Sequence, residues 1–308
     1  MTMSAIKFFS TNGQSERVDF REALLMGQAP DKGLYMPEEI PQIPWSLIGK
    51  FSKMSYPQIA YEVIKPYLGD LVSDSDLQAM LMDAYDYDVP VERVYDEKYV
   101  LRLDRGPTCS FKDFAARAMG RLVQHFLRAE GRSILILTAT SGDTGSAVAH
   151  AFYGLDNVKV VVLFPEKEVT DRQRRQMTTL GKNIFPLAVQ GKFDDCQALV
   201  KQAFVDPELS ALHLSSANSI NIGRLLPQAV YYFYAHSRVA PEGEEIVFSV
   251  PSGNFGDLMG GLLAMKMGLP TRRFVVATNE NDEFPRFMET GIYEPIRPSK
   301  NCISNAMN

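Results

Sequence analysis

The residues best suited to chemistry stand at the start of one predicted helix. The segment Gly106 to Gly120 reads Gly-Pro-Thr-Cys-Ser-Phe-Lys-Asp-Phe-Ala-Ala-Arg-Ala-Met-Gly, and its Gly106-Pro107 pair breaks the strand-like run Tyr99–Leu103. Ser110 takes an N-cap place, with Asp113 three residues later in capping-box spacing. Phe111, Ala115, Ala118, Leu122 and Phe126 recur at helical period, so the helix should pack on a core with Lys112 beside the apolar stripe. A cation at a helix N-terminus opposes the macrodipole by about 0.3–1 kcal/mol. Desolvation also favours the neutral amine, and Asp113 opposes it. A lysine that loses its proton readily can condense with an aldehyde. Taken alone, the segment reads more simply as an ordinary amphipathic helix with a surface lysine.

Two further stretches share the order strand, glycine loop, helix. One spans Ile134–Phe152 around Thr140-Ser141-Gly142-Asp143-Thr144-Gly145, the other Ile246–Met267 around Pro251-Ser252-Gly253-Asn254-Phe255-Gly256-Asp257. Glycines let backbone N–H groups approach a ligand, and the helix start behind them favours an anion. Neither loop ends in the Gly-Lys-Ser/Thr of a Walker motif, and neither has the full dinucleotide fingerprint. Each could also be glycine-rich for steric reasons alone. His125, His150, His213 and His236 lack metal-ligand spacing, and Cys109 lacks the local signature of a thiol enzyme. Asp194-Asp195 opens a helix, where acidic residues suit the dipole.

These segments need scaffolding, and 308 residues suffice for two domains with real cores. A net charge of −5 without a long basic block argues against a nucleic-acid surface. Three widely spaced cysteines suggest free thiols in a reducing compartment. The start of the chain lacks an apolar signal core, and no run approaches the ~18 apolar residues of a membrane span. The expectation is a cytoplasmic chain with no metal, nucleic-acid or membrane partner.

Residues 1–95 read as a helical, turn-punctuated region, with helices at Phe20–Met26, Tyr56–Tyr67 and Asp74–Tyr85. Residues 96–132 carry the Lys112 helix. Over 133–212, strands Ile134–Thr138, Val158–Phe164 and Ile184–Val189 alternate with helices, which indicates βαβ units and a parallel sheet. Over 213–308, Ser219–Arg224 leads into an aromatic helix reaching about His236, with Pro227 in its first turn or at a kink. Strand Ile246–Val250, helix Leu258–Met267 and strand Phe274–Thr278 follow.

Together these motifs resemble the threonine synthase family, pyridoxal-phosphate enzymes of the fold-type II (tryptophan synthase β-like) group. The resemblance begins at Ser10-Thr11-Asn12-Gly13, where the family tends to have Arg for the Asn. It continues through Glu22–Gly27 with Gly33–Pro37, Gly106–Phe114, Thr138–Gly145, Asn218–Arg224 and Gly253–Asp257. It implies an α/β fold of two doubly wound open-sheet domains with a mainly helical N-terminal region. It also implies pyridoxal 5'-phosphate held covalently by Lys112, with Gly253, Asn254, Phe255, Gly256 and Asp257 around its phosphate. Ser141, Gly142, Asp143 and Thr144 match the loop facing the cofactor ring edge and the substrate carboxylate, where many wider relatives carry Asn for Asp143. Ser219, Asn221 and Arg224 match a motif assigned to the substrate phosphate. The implied reaction turns O-phospho-L-homoserine and water into L-threonine and phosphate.

The chain stops over a hundred residues before such enzymes do, and Ser304-Asn305-Ala306-Met307-Asn308 resembles a family motif cut short. The expectation is an incomplete large domain, exposed apolar surface and weakened cofactor binding, in either a fragment of an active enzyme or a natural short protein. A related phospholyase, a serine/threonine dehydratase and an inactive phosphate-binding scaffold remain alternatives at this stage. Monomer and homo-oligomer are both open.

Overall fold

The protein is described by a computed structural model over residues 6–296, Lys300 and Cys302. Residues 304–308, with the suggested family motif, lie outside the described residues. The chain opens with an antiparallel pair, β1 (Phe8–Ser10) and β2 (Tyr35–Pro37). Between them α1 (Phe20–Met26) starts at an Asp19–Glu22 capping box and stops at Gly27, whose φ is +76°. A side chain on Gly27 would lie 3.0 Å from the backbone of Ser216, so the end of α1 rests on that segment.

Next come the short α2 (Trp45–Ile48), then α3 (Tyr56–Leu68) and α4 (Asp74–Ala84), close to the expected bounds. A hairpin of β3 (Val91–Tyr95) and β4 (Lys98–Leu101) follows and straddles residue 95. Its first strand had no sequence signal. Val94 and Tyr95 are 57% and 58% exposed, so no burial alternation marks it, and only pairing with β4 makes it a strand.

The 19-residue helix α5 (Lys112–Glu130) is the hub. Phe114, Ala115, Ala118, Met119, Leu122, Val123 and Phe126 are all buried. Arg117 is only 8% exposed, and it donates to the last carbonyls of α4, Ala84 at 2.6 Å and Asp83 at 2.7 Å, and to the Asp86 carboxylate at 2.7 Å. Those carbonyls have no partner within α4, so the guanidinium both satisfies them and suits the dipole. On another side Gly120 lets α5 approach the segment that follows, since a Cβ there would lie 3.0 Å from the Ala151 carbonyl.

That segment forms a parallel sheet of β5 (Ile134–Ala139), β6 (Val158–Pro165), β7 (Ile184–Val189) and β8 (Leu214–Ser215), in spatial order β7-β6-β5-β8. Helices α6 (Asp143–Phe152), α7 (Asp171–Thr178) and α8 (Phe193–Val205) connect the strands. Along β5, Ile134 and Ile136 join the main core on the α6 side, whereas Leu137 and Ala139 pack with Cys196 and Val200 of α8. Both faces of β5 are therefore covered, which explains its continuous apolar run. The chain moves outward from β5 to β7 and then returns to β8 on the other side, so the order reverses between β5 and β8. In such sheets ligands bind outside the strand ends at that reversal.

The last part begins with α9 (Ile222–Leu225), a 3-10 turn Leu226–Gln228 holding Pro227, and α10 (Ala229–Val239). Pro227 lacks an N–H and so breaks what the sequence suggested could be one helix. Strands β9 (Ile246–Pro251) and β10 (Thr271–Ala277) pair in parallel around α11 (Gly256–Lys266), and α12 (Glu283–Thr290) follows. One face of this pair is covered by Tyr232 against Phe248 and Phe274. The other leaves Val247 and Val275 45% and 46% exposed. Among the described residues, no helix is long and apolar enough to cross a membrane.

The approach of α11 to the 3-10 turn depends on Gly260, where a Cβ would lie 2.6 Å from Gln228 Cβ and 2.8 Å from its carbonyl carbon. Gly260→Val is expected to destabilise the chain by about 1–3 kcal/mol through overpacking, measured by denaturant unfolding.

Candidate active site

Lys112 is the first residue of α5, and its helix is not capped as the sequence suggested. Phe111 precedes it in helical conformation with no side-chain cap, and Ser110 Oγ accepts only from the Lys112 N–H, at 3.3 Å. Asp113 turns the other way. It is 1% exposed and accepts from Thr108 N at 2.8 Å and Thr108 Oγ1 at 2.7 Å. A side chain at Gly106 would meet the Asp113 carboxylate at 2.5 Å, so the glycine is required by the loop that Asp113 closes. Cys109, at the loop's tip, adopts φ +58°, a left-handed conformation that costs a non-glycine residue about 1 kcal/mol or more.

The Lys112 side chain is 12% exposed, and its Nζ lies 3.8 Å from Asp143 Oδ2 and 4.4 Å from the centre of the Phe111 ring. Burial lowers the ammonium below the ordinary lysine value. Asp143 pulls it back up, Arg224 adds to the lowering, and Asp257 raises it. The carboxylates opposing desolvation are thus Asp143 and Asp257, each from a distant segment, in place of the sequence neighbour Asp113.

The reversal between β5 and β8 places the remaining residues. The loop after β5 is held by Thr140, whose Oγ1 accepts from Gly142 N at 2.9 Å and Gly145 N at 2.8 Å. Ser141 and Thr144 are half-buried there, beside Gly142 and the 49%-exposed side chain of Asp143. Across the reversal, Thr138 Oγ1 donates to Asn218 Oδ1 at 2.5 Å, joining the end of β5 to the segment carrying Ser219 and Asn221.

Asn221 is fully buried. Its amide donates to the Leu24 and Ser216 carbonyls, both at 2.9 Å, and its oxygen accepts from Gly223 N at 2.8 Å. It therefore caps α9 and fastens α1, which leaves no free group for a substrate and redirects the expectation drawn from the motif. Arg224 is 1% exposed. Its Nη1 donates to the Ala217 carbonyl at 2.5 Å, while its Nε is buried without a protein partner. Burial pushes this guanidinium down to about 10, and Asp113 resists the change. A buried cationic donor with an unsatisfied N–H calls for an anion.

Gly253, Asn254 and Phe255 lead into α11 opposite these groups. Phe255 adopts φ +54° and is steadied by the Phe284 ring at 4.4 Å. Gly256 lies against Ser219, where a Cβ would sit 3.3 Å from the serine Cβ. The first-turn N–H groups of α11 have no intrahelical partners and add positive potential. Asp257 faces the tyrosines of α10, its Oδ1 accepting from Tyr231 and Tyr232 hydroxyls at 2.7 Å each. Burial raises its carboxyl, and those hydrogen bonds with the Lys112 charge lower it. Sequence reading gave Asp257 to the cofactor loop and missed this pairing, which only the packing of α10 on α11 creates.

The ensemble is a shielded amine, a buried guanidinium with one unsatisfied N–H, a glycine loop at a helix start, and few free carboxylates. It fits an anionic molecule bearing an aldehyde, and pyridoxal phosphate meets that description. Among the described residues, no cluster of three or more His, Cys, Asp or Glu could hold a metal ion.

Comparison with known proteins agrees with this chemistry. The family profile described as Threonine synthase N terminus matches residues 7–85, and that of the pyridoxal-phosphate dependent enzymes matches 91–307. Threonine synthases of Escherichia coli K12 and Serratia marcescens are 44% and 43% identical over 98% of the chain, which spans 71% and 70% of their lengths. The PLP-bound threonine synthase structure from Brucella melitensis superposes with a TM-score of 0.93 at 40% identity, covering 98% of this chain and 67% of that one. A maize serine racemase, at 17% identity and a TM-score of 0.55 over 80% of this chain and 67% of its own, shares the fold alone.

The Lys112 environment has a signed consequence. The folded chain gives up this proton below the ordinary value of 10.5, so unfolding takes up a proton between the two values. The contribution of Lys112 to stability therefore rises with pH through that window, and the penalty for its buried charge is complete below it. Labelling of the amine by an acylating reagent, followed by peptide mass spectrometry, should reach half-maximum below pH 10.5. Asp143→Asn should move that midpoint lower still, since the variant no longer favours the ammonium form.

Proposed function

The chain belongs to the threonine synthase family of pyridoxal-phosphate-dependent enzymes, and we propose that it makes L-threonine and phosphate from O-phospho-L-homoserine and water at the Lys112 site. The observation that carries the assignment of the site is the shielded Lys112 amine near a glycine loop and a buried arginine whose Nε has no protein partner. In this reading Lys112 holds the cofactor covalently, and Gly253, Asn254, Phe255 and Gly256 receive its phosphate at the start of α11. When bound, pyridoxal phosphate supplies the aldehyde and an acceptor for the electrons left at the substrate Cα.

The protein's own groups do the rest. The Lys112 Nζ, once free as an amine, would take the substrate Cα proton and return a proton later in the sequence. Asp143 stabilises that nitrogen whenever it carries the proton. The Ser141–Thr144 loop receives the substrate carboxylate at the N-terminus of α6, and Ser219 with Arg224 binds the phosphate that leaves Cγ. Arg224 suits the task because its planar fork meets phosphate oxygens in pairs and its Nε is unpaired in the protein. Asn221 acts by holding the loop that carries them. Asp257 acts by setting the local charge through its tyrosine partners. We assign the sheet of residues 133–212 as the small domain, the segments on either side as the large one, and the cytoplasm as the compartment.

Two variants test the roles. Lys112→Ala should lose turnover with phosphohomoserine, and full activity in it would remove Lys112 from the mechanism. Arg224→Lys should raise KM about 10-fold or more with a smaller change in kcat, because one charged hydrogen bond contributes about 1.5–3 kcal/mol. An unchanged KM would place the substrate phosphate elsewhere.

A further inference from the structure

We propose that Gln173, in the first turn of α7, is a positioning residue that holds the Asp143 carboxylate in place against the Lys112 amine. Gln173 Nε2 donates to Asp143 Oδ1 at 2.6 Å, while the other carboxylate oxygen faces Lys112 Nζ at 3.8 Å. Asp143 is half in solvent, and a side chain so exposed would swing freely without a partner.

The amide itself is fixed from behind. Its Oε1 accepts from Thr170 N at 3.1 Å and Thr170 Oγ1 at 2.9 Å in the capping box that starts α7. It also lies directly over Gly142. A Cβ there would come within 2.4 Å of the Gln173 carboxamide, and Gly142 has φ +138°. The glycine preceding Asp143 is thus required by the glutamine's approach as well as by the turn. One helical turn on, Gln176 Nε2 donates to the Thr108 carbonyl at 3.3 Å, in the loop that Asp113 closes. Helix α7 consequently touches both sides of Lys112, through Asp143 and through the Thr108 loop.

The chemistry follows from the two contacts. A carboxylate held by a neutral amide donor has a fixed direction, so its other oxygen stays aimed at the ammonium. The groups facing Lys112 from neighbouring elements are Asp143 on α6, Arg224 on α9 and Asp257 on α11, with Asp113 beside it on α5 turned towards Thr108. Of these, Asp143 is the one whose placement depends on Gln173. The inference deepens the proposed role of Lys112 and rests on it. Its test is read on the amine itself, so failure here leaves the activity test of Lys112→Ala untouched.

The experiment compares Gln173→Leu with Thr170→Ala in the full chain. Both weaken the start of α7, but only the first removes the donor to Asp143. Acylation of Lys112 before cofactor is added, followed by peptide mass spectrometry across pH, gives the midpoint of the amine. In Gln173→Leu it should fall by about half a pH unit or more, because an unheld Asp143 carboxylate spends less time against the amine and favours its ammonium form less. In Thr170→Ala, which keeps the Thr170 N–H contact and the donor to Asp143, it should move by less than in Gln173→Leu. After reconstitution with pyridoxal phosphate, the pH profile of kcat should shift in the same variant and the same direction. An unmoved midpoint in Gln173→Leu, or an equal shift in Thr170→Ala, would overturn the proposal.

Discussion

The structure depends on keeping one amine out of water at the N-terminus of α5, where both the helix dipole and desolvation oppose its charge. Such a group is stable only if its surroundings hold it firmly. Asp113 closes the loop before it, Arg117 ties the same helix to the end of α4, and Gly120 lets it meet α6 at close range. The long apolar face of α5 then anchors these contacts in the shared core. Lys112 is positioned by a helix that packs against α1, α4, α6, α9 and the 3-10 turn Leu226–Gln228.

A second consequence concerns charge. Lys112 and Arg224 bring two buried cations close together, and the starts of α6 and α11 add to the positive potential. The nearby carboxylates are largely engaged, Asp113 with Thr108, Asp143 with Gln173 and Asp257 with two tyrosines. The Arg224 Nε, by contrast, is buried without a protein partner. The site is thus arranged for anions, in keeping with a phosphate-bearing cofactor and a phosphate-bearing substrate. It lies where strand order reverses, between β5 and β8, so the anion preference and the sheet topology have one location in common.

The sequence made the chemistry legible where residue type alone is decisive. Lys112 in its apolar stripe, the two glycine loops and the β-branched strands of the parallel sheet were readable because periodicity and backbone freedom leave marks in one dimension. Partners contributed by distant segments were not. Asp113 sits at capping-box spacing, yet it is turned away by Thr108, a contact no periodicity records. Asn221 looked like a ligand group because it stands in a family motif, and only the position of α1 shows its amide fully occupied. Gln173 gave no signal at all, since a glutamine in the first turn of a polar helix is ordinary until Gly142 is seen beneath it. The strand β3 escaped for the same reason: its identity comes from pairing rather than burial.

The central claim is that Lys112 is the amine that holds pyridoxal phosphate. The most direct measurement is to add the cofactor, reduce with borohydride, digest and locate the modified lysine by mass spectrometry. The account predicts a pyridoxyl adduct confined to the peptide bearing Lys112. Adducts scattered over many exposed lysines, with none favoured at Lys112, would contradict it.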